Sequence, residues 1–154
     1  MRVWRLALGR FSELDGEGAR QYGGRWNSPG IPMVYAATHL TLALLEQLVH
    51  LDPDRLPAAL RAFAIEVSSG VPVENDVPPM NDAEASRRYG DAWAASLRSA
   101  ALIVPSVLIP VKLKPGDLAT EERNVLLNPR HRSAATWRVT ETVFAVERRL
   151  KRMA

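Results

Sequence analysis

Apolar and polar positions alternate along Val3-Trp4-Arg5-Leu6-Ala7-Leu8, which predicts a first strand ending at Gly9. Aliphatic side chains then almost vanish between residues 12 and 30, where Gly16, Gly18, Gly23, Gly24, Pro29 and Gly30 gather, so this stretch reads as one long loop. Loops of that length inside a compact domain are usually functional or disordered, which marks it for close reading. Residues 32 to 37, PMVYAA, read as a short apolar strand. Thr38 is the natural N-cap of a helix running to about Leu51, where Asp52-Pro53 stops it.

Residues 59 to 67 alternate again: Leu60, Ala62, Ala64 and Glu66 fall on one side, Phe63, Ile65 and Val67 on the other. Pro72, Pro78 and Pro79 break the chain beyond it. Helical spacing through Tyr89, Trp93, Leu97 and Ala101 predicts a second helix over 82 to 100. Residues 102 to 104 form a short buried strand ending at Pro105-Ser106 and resuming over 107 to 111, and 112 to 120 is polar and turn-rich. A closing strand over 139 to 146 enters a basic tail. Strands and helices mix without strict alternation, so the fold class is α+β, a single domain with a mixed or antiparallel sheet. There is no internal repeat and no low-complexity segment.

The 154 residues suffice for one core, and 47% hydrophobic with 24% charged residues is the composition of an ordinary globular protein. The absence of cysteine excludes disulfides and thiolate metal sites and fits a reducing compartment. No apolar run reaches membrane-spanning length, and the start lacks a signal-peptide pattern, so a cytoplasmic location is expected. The net charge of +3 is uneven, with Arg130, Arg132, Arg138, Arg148, Arg149, Lys151 and Arg152 crowding the last quarter. That end is either a docking face for an anionic partner or a solvated terminal face.

Several chemistries are excluded by motif. The GEGARQ run at 16 to 21 lacks the third glycine and the βαβ context of a dinucleotide fingerprint, and Walker, HExxH and nucleophile-elbow patterns are missing. His39, Glu46 and His50 could share a helix face, but without a third imidazole nearby no metal site is expected. Glu46 lies on a helix that is apolar nearly all round (Leu40, Leu44, Leu45, Leu48, Leu51). It is either a partly buried acid, which needs a cation close by to stay charged, or part of a narrow wet stripe with Gln47 and His50. Arg25 sits in GGRWNSPG, where glycines let backbone N–H groups approach an anion that the guanidinium grips bidentately. The plainer reading of that motif is a turn whose Trp26 packs on the core.

Taken together, Trp4-Arg5, GEGA at 16 to 19, GGRWNSPG at 23 to 30, MVYAATHLTLALLEQLVH at 33 to 50, VPS at 104 to 106 and ERNVLLNPRH at 122 to 131 closely resemble the RES-domain toxins. The blocks occur in the family's order from residue 4 to about 131, with a looser echo in VFAVERRL at 143 to 150. The resemblance implies a fold similar to the ADP-ribosyltransferases and a toxin of a bacterial toxin–antitoxin pair that degrades NAD+, its substrate, without a metal. It places the family's arginines at Arg5 and Arg25, its tyrosine at Tyr35, its glutamate at Glu46 and its serine at Ser106, with Asn124 in the ERN block. It also implies a cognate antitoxin, commonly a helix-turn-helix DNA-binding protein, and leaves a homodimer open; no membrane or direct nucleic-acid partner is expected. One departure stands out: VKLKPGDLAT at 111 to 120 is inserted between the serine and ERN blocks.

The chemistry this implies is cleavage of the nicotinamide–ribose bond through an oxocarbenium-like state, with water or phosphate as acceptor. Glu46 would supply negative charge and grip a ribose hydroxyl, Arg25 and Arg5 would hold the pyrophosphate, and Tyr35 would stack on or orient the nicotinamide. Ser106 either orients Glu46 or the ribose, or closes a turn. Three rivals are weighed: ADP-ribose transfer to a protein, a nucleic-acid-binding or RNA-cleaving module that uses the basic tail, and an inactive member that only binds its partner, against which the intact arginine, tyrosine, glutamate and serine positions argue. Against the second, Trp4, Trp26, Trp93 and Trp137 are scattered rather than interleaved with the basic residues.

Overall fold

The computed structural model describes residues 1–9, 14–52, 56–75, 77–78, 82–109, 122–147 and 149. Its elements are β1 (Arg2–Ala7), α1 (Glu17–Tyr22), β2 (Val34–Ala37), α2 (Leu40–Val49), β3 (Ala59–Glu66), β4 (Val73–Glu74), α3 (Ala83–Ser96), β5 (Ala101–Val104), β6 (Asn124–Leu127), a 3-10 turn (Arg132–Thr136) and β7 (Arg138–Ala145). The strands form one seven-stranded sheet in the order β4-β5-β6-β2-β1-β3-β7. Every neighbouring pair is antiparallel except β4 and β5. This is the α+β architecture with a mixed sheet that the pattern predicts.

The central strands are covered on both faces, because successive side chains of a strand point to opposite sides, while the edge strand β7 stays largely exposed. Val3, Ala7, Val34, Ala36, Phe63, Ile65, Val125 and Leu127 form the core of one face, with Leu14, Val71 and Trp137 packed over it. On the other face α2 sets Leu42 and Ala43 against Leu6, Ala37, Leu60 and Ala62. Beside it α3 sets Trp93 and Ala94 against Trp26, Leu102, Val104 and Leu126. The β3 alternation read from the sequence is the one observed: Leu60 and Ala62 serve the helical face, Phe63, Ile65 and Val67 the opposite one.

Four local readings are corrected. The long loop contains α1, started by Gly16 in the left-handed region (φ 73°) and ended at Gly23 (φ 70°). Asp15 Oδ1 accepts from the Glu17 N–H at 2.9 Å, and Glu17 then pairs with Arg20 across one turn. Thr38 is not the N-cap of α2; His39 holds that position, while the Thr38 hydroxyl accepts from the Arg123 N–H at 3.0 Å. The second long helix ends at Ser96 rather than 100, because Leu97 turns into the left-handed region (φ 52°). No strand resumes over residues 107 to 109.

Two strands have no counterpart in the sequence reading. In β6, Asn124–Leu127, the three residues after Asn124 are apolar and buried on both faces and carry no alternation. Only two residues make up β4. The inserted segment 111–120 and the end of the basic tail lie outside the described residues. No helix among the described residues is long and apolar enough to cross a membrane.

Candidate active site

Glu46 follows Leu42 and Ala43 by one helical turn, so the stripe of α2 that grips the sheet also turns this carboxylate toward it. It is half-buried, and its Oε1 accepts two hydrogen bonds, from Ser106 Oγ at 2.8 Å and from Asn124 Nδ2 at 2.6 Å. The donors lie 60 and 78 residues away in the chain, at the end of β5 and the start of β6. Val104 and Asn124 are paired across those strands, which brings the two donors to one end of the sheet. Ser106 does both of the things its position suggested: its hydroxyl donates to Glu46 and accepts from the Leu108 N–H at 3.1 Å, closing a turn. Among the described residues Glu46 has no ion-pair partner, and Gln47 and His50 share neither of its bonds. Nor is α2 covered all round, since Leu45 and Val49 are exposed.

Tyr35 occupies the same sheet face. It pairs with Leu126 and Ala37 pairs with Asn124, so Tyr35 and Asn124 project from the same side of adjacent strands, two residues apart along the ladder. The Tyr35 hydroxyl is taken up in holding the glycine-rich loop: it accepts from the Trp26 N–H at 3.0 Å and donates to Asn27 Oδ1 at 2.8 Å. Burial pushes its pKa up to about 12, so the phenol stays a donor. Gly24 is required here because a Cβ would collide with that hydroxyl.

The loop over residues 23 to 31 is therefore built rather than slack. Asn27 is fully buried, and its amide donates to the carbonyls of Ala19 (2.9 Å), Ser28 (3.1 Å) and Ile31 (2.9 Å). Trp26 packs into the core beneath it, as the plainer reading of the motif requires. Helix α3 closes the back: Asp91 accepts from the Ser28 N–H at 2.8 Å and from its hydroxyl at 2.6 Å. Gly90 lies so close to the Trp26 carbonyl that no side chain fits between them. Arg25 projects from this frame, exposed and, among the described residues, without a carboxylate partner.

Arg5 is placed differently. It alternates with Trp4 and Leu6, so it stands on the side of β1 that carries Val3 and Ala7, opposite to the Tyr35 ring. Strands β1 and β2 share one register pair, Trp4 with Ala37, and Arg5 Nη1 reaches across this seam to the Tyr35 carbonyl at 3.1 Å. Burial lowers its pKa, and the charge of Asp15 works against that. The structure thus joins Glu46, Ser106 and Asn124 directly and brings Tyr35 with the Arg25 loop onto their face, whereas Arg5 supports β2 from the other side.

These features coincide with a known domain: the RES-domain family model matches residues 2–149. The chain belongs to the RES-domain family. Among RES relatives, the "Prs ADP-ribosylating toxin" of Sphingobium sp. (strain YBL2) is 39% identical over 145 residues, covering 85% of this chain and 84% of that protein. The "Toxin Res" of Yersinia enterocolitica serotype O:8 is 35% identical, covering 98% of this chain and all of its own length (100%). The "NAD(+) phosphorylase MbcT" of Mycobacterium tuberculosis is 33% identical over 91 residues, which is 53% of this chain and 49% of that protein. The crystal structure of the M. tuberculosis MbcT–MbcA toxin–antitoxin complex superimposes with a TM-score of 0.68 at 19% identity, covering 99% of this chain and 87% of that one, and so shares the fold.

Within this RES domain, sequence reasoning overlooked Asn27, Gly90 and Asp91. Asn27 follows the motif arginine by two positions, and an Asn-Ser-Pro run is a turn signal, but nothing in it shows that the side chain is buried and tied to Ala19, Ser28 and Ile31. Gly90 and Asp91 sit inside a helix, where nothing local distinguishes them from surface residues. The Tyr35 anchor can be tested by titration. Its unfolded phenol ionises near 10.0 and its folded one near 12, so the folded protein loses stability as pH rises through that interval and keeps it below pH 10. Tyr35→Phe should flatten this alkaline loss, which reaches about 1 kcal/mol by pH 11, in urea denaturation followed between pH 8 and pH 11.

Proposed function

We propose that this protein is the toxin of a toxin–antitoxin pair and that it destroys NAD+ by cleaving the nicotinamide–ribose bond. One observation carries the reading: Glu46 is held through a single oxygen by Ser106 and Asn124, and among the described residues nothing bonds Oε2, which is available on the sheet face shared with the Arg25 loop. A carboxylate oriented in this way can accept a ribose hydroxyl and place negative charge beside the anomeric carbon. Bond cleavage sends the electron pair of the C1′–N bond to nicotinamide, which leaves neutral, and the positive charge that develops on the ribose is stabilised by Glu46. Water then adds at C1′ and releases a proton to give ADP-ribose, or inorganic phosphate adds to give its 1-phosphate. The exposed Arg25, set on a rigid glycine-flanked loop, binds the diphosphate. Tyr35 acts by fixing that loop, and Arg5 by bracing the strand beneath Tyr35.

The relatives support this reading by their names, one an NAD(+) phosphorylase and another an ADP-ribosylating toxin. The second of these favours the alternative acceptor, a protein side chain. The MbcT–MbcA complex supports an antitoxin partner, a cytoplasmic DNA-binding protein in this reading, that covers the site. Purified protein incubated with NAD+ labelled in the adenylate half separates the acceptors. A degrading enzyme puts all label into small molecules, with free nicotinamide appearing in step, and added phosphate shifts the product to the phosphorylated sugar. Label that stays on protein in proportion to nicotinamide released means transfer instead, and no release at all ends the proposal.

A further inference from the structure

Helix α3 carries a guanidinium that neither the family resemblance nor the relatives assign. Arg87 is half-buried, and its Nε lies 3.4 Å from the carbonyl oxygen of Gly24, the oxygen of the peptide group that joins Gly24 to Arg25. It lies close enough to Tyr35 for its charge to act on the phenol. The neighbouring carboxylate on the helix, Asp91, makes no ion pair with it and is hydrogen-bonded through both oxygens to Ser28. Among the described residues no acid pairs with Arg87, and Nε makes its only hydrogen bond. This contrasts with the rest of α3, where Arg88 pairs with Glu84, and with Arg98 just beyond it, which pairs with Glu74.

A half-buried guanidinium with no carboxylate in ion-pair contact can take an anion, and its planar Nη edge is shaped for two phosphoryl oxygens. Arg25 carries a second unpaired guanidinium from the residue whose peptide Arg87 touches. We propose that Arg87 is a second ligand for the substrate's diphosphate, forming with Arg25 a two-arginine clamp across the GGRWN loop. This rests on the reading of the protein as an NAD+-cleaving enzyme and adds to it a binding residue from α3. A free phosphate acceptor offers the same oxygens, so the test separates the two.

Affinity for ADP-ribose is measured by calorimetry on the full chain, wild type beside Arg87→Gln, Arg87→Lys and Arg25→Gln, with urea midpoints for each. Arg87→Gln should weaken ADP-ribose binding about tenfold or more, and Arg87→Lys, which keeps the charge, should recover part of it at an unchanged midpoint. In steady-state assays the same Arg87→Gln change should raise KM for NAD+ by a similar factor while kcat stays within about twofold, and should leave the dependence on inorganic phosphate unmoved. Unchanged ADP-ribose affinity overturns the clamp. So does a loss that Gln and Lys share equally together with a lowered midpoint, which means Arg87 only props the loop, and so does an effect confined to the phosphate dependence. Wild-type protein that binds ADP-ribose but releases no nicotinamide from NAD+ would sink the proposed reaction and leave the clamp standing; wild type that binds neither overturns both.

Discussion

Glu46→Gln should leave the protein folded and reduce NAD+ turnover by about a hundredfold or more, roughly 3 kcal/mol of transition-state stabilisation. The substitution is chosen for what it retains. A glutamine carbonyl oxygen can accept the bonds that Ser106 and Asn124 now give to Oε1, so the tether and the packing of α2 persist. What disappears is the negative charge and the second acceptor oxygen. Because an oxocarbenium-like state is more cationic than the bound substrate, the loss should fall on kcat rather than on KM. The measurement is nicotinamide release by the purified variant, paired with intracellular NAD+ in bacteria expressing it. A Gln variant that works within a few-fold of wild type would remove Glu46 from the chemistry, whatever its hydrogen bonds.

The second large effect is structural and lies away from the acid. Gly90→Ala should cost about 1–3 kcal/mol and weaken NAD+ binding, because the added methyl must occupy the position of the Trp26 carbonyl. Backbone cannot yield as the end of a side chain can, so α3 and the loop over residues 23 to 31 must move apart. Separation also stretches the two bonds from Ser28 to Asp91 that hold the loop carrying Arg25. Gly70→Ala provides the control: nothing lies within 4 Å of its added methyl, so its urea midpoint should stay near the wild-type value. A Gly90→Ala protein as stable as wild type, with unaltered KM for NAD+, would show that the loop does not depend on its contact with α3.

Legibility followed the range of the forces involved. The alternation of β3 was readable because each of its faces meets a core, so position in the strand translates directly into inward or outward. Thr38 was misread as a cap for the opposite reason: its hydroxyl has a stronger use 85 residues away, on the Arg123 backbone, and no local rule could anticipate that competitor. Beyond Asn124 the β6 run is apolar, and three consecutive buried residues, Val125 to Leu127, carry no period to detect. In the candidate site, residue type and the surrounding glycines and leucines raised Glu46 and Arg25 as candidates beside plainer readings, and the family resemblance singled them out. Their supports, Asn27, Gly90 and Asp91, were invisible as such because each acts on a partner that only packing brings near.

What the chain alone determined is therefore the set of elements with strong periodicity, the α+β class and the absence of disulfide chemistry. Tertiary structure alone decided that Ser106 and Asn124 share one oxygen of Glu46, that Tyr35 serves the loop with its hydroxyl, and that Arg5 stands on the other side of the sheet. The reason is physical. Periodicity and turn chemistry are set by neighbours a few residues apart, whereas a hydrogen bond between groups 60 or 78 residues apart exists only once a packed sheet has fixed the distance and angle between them.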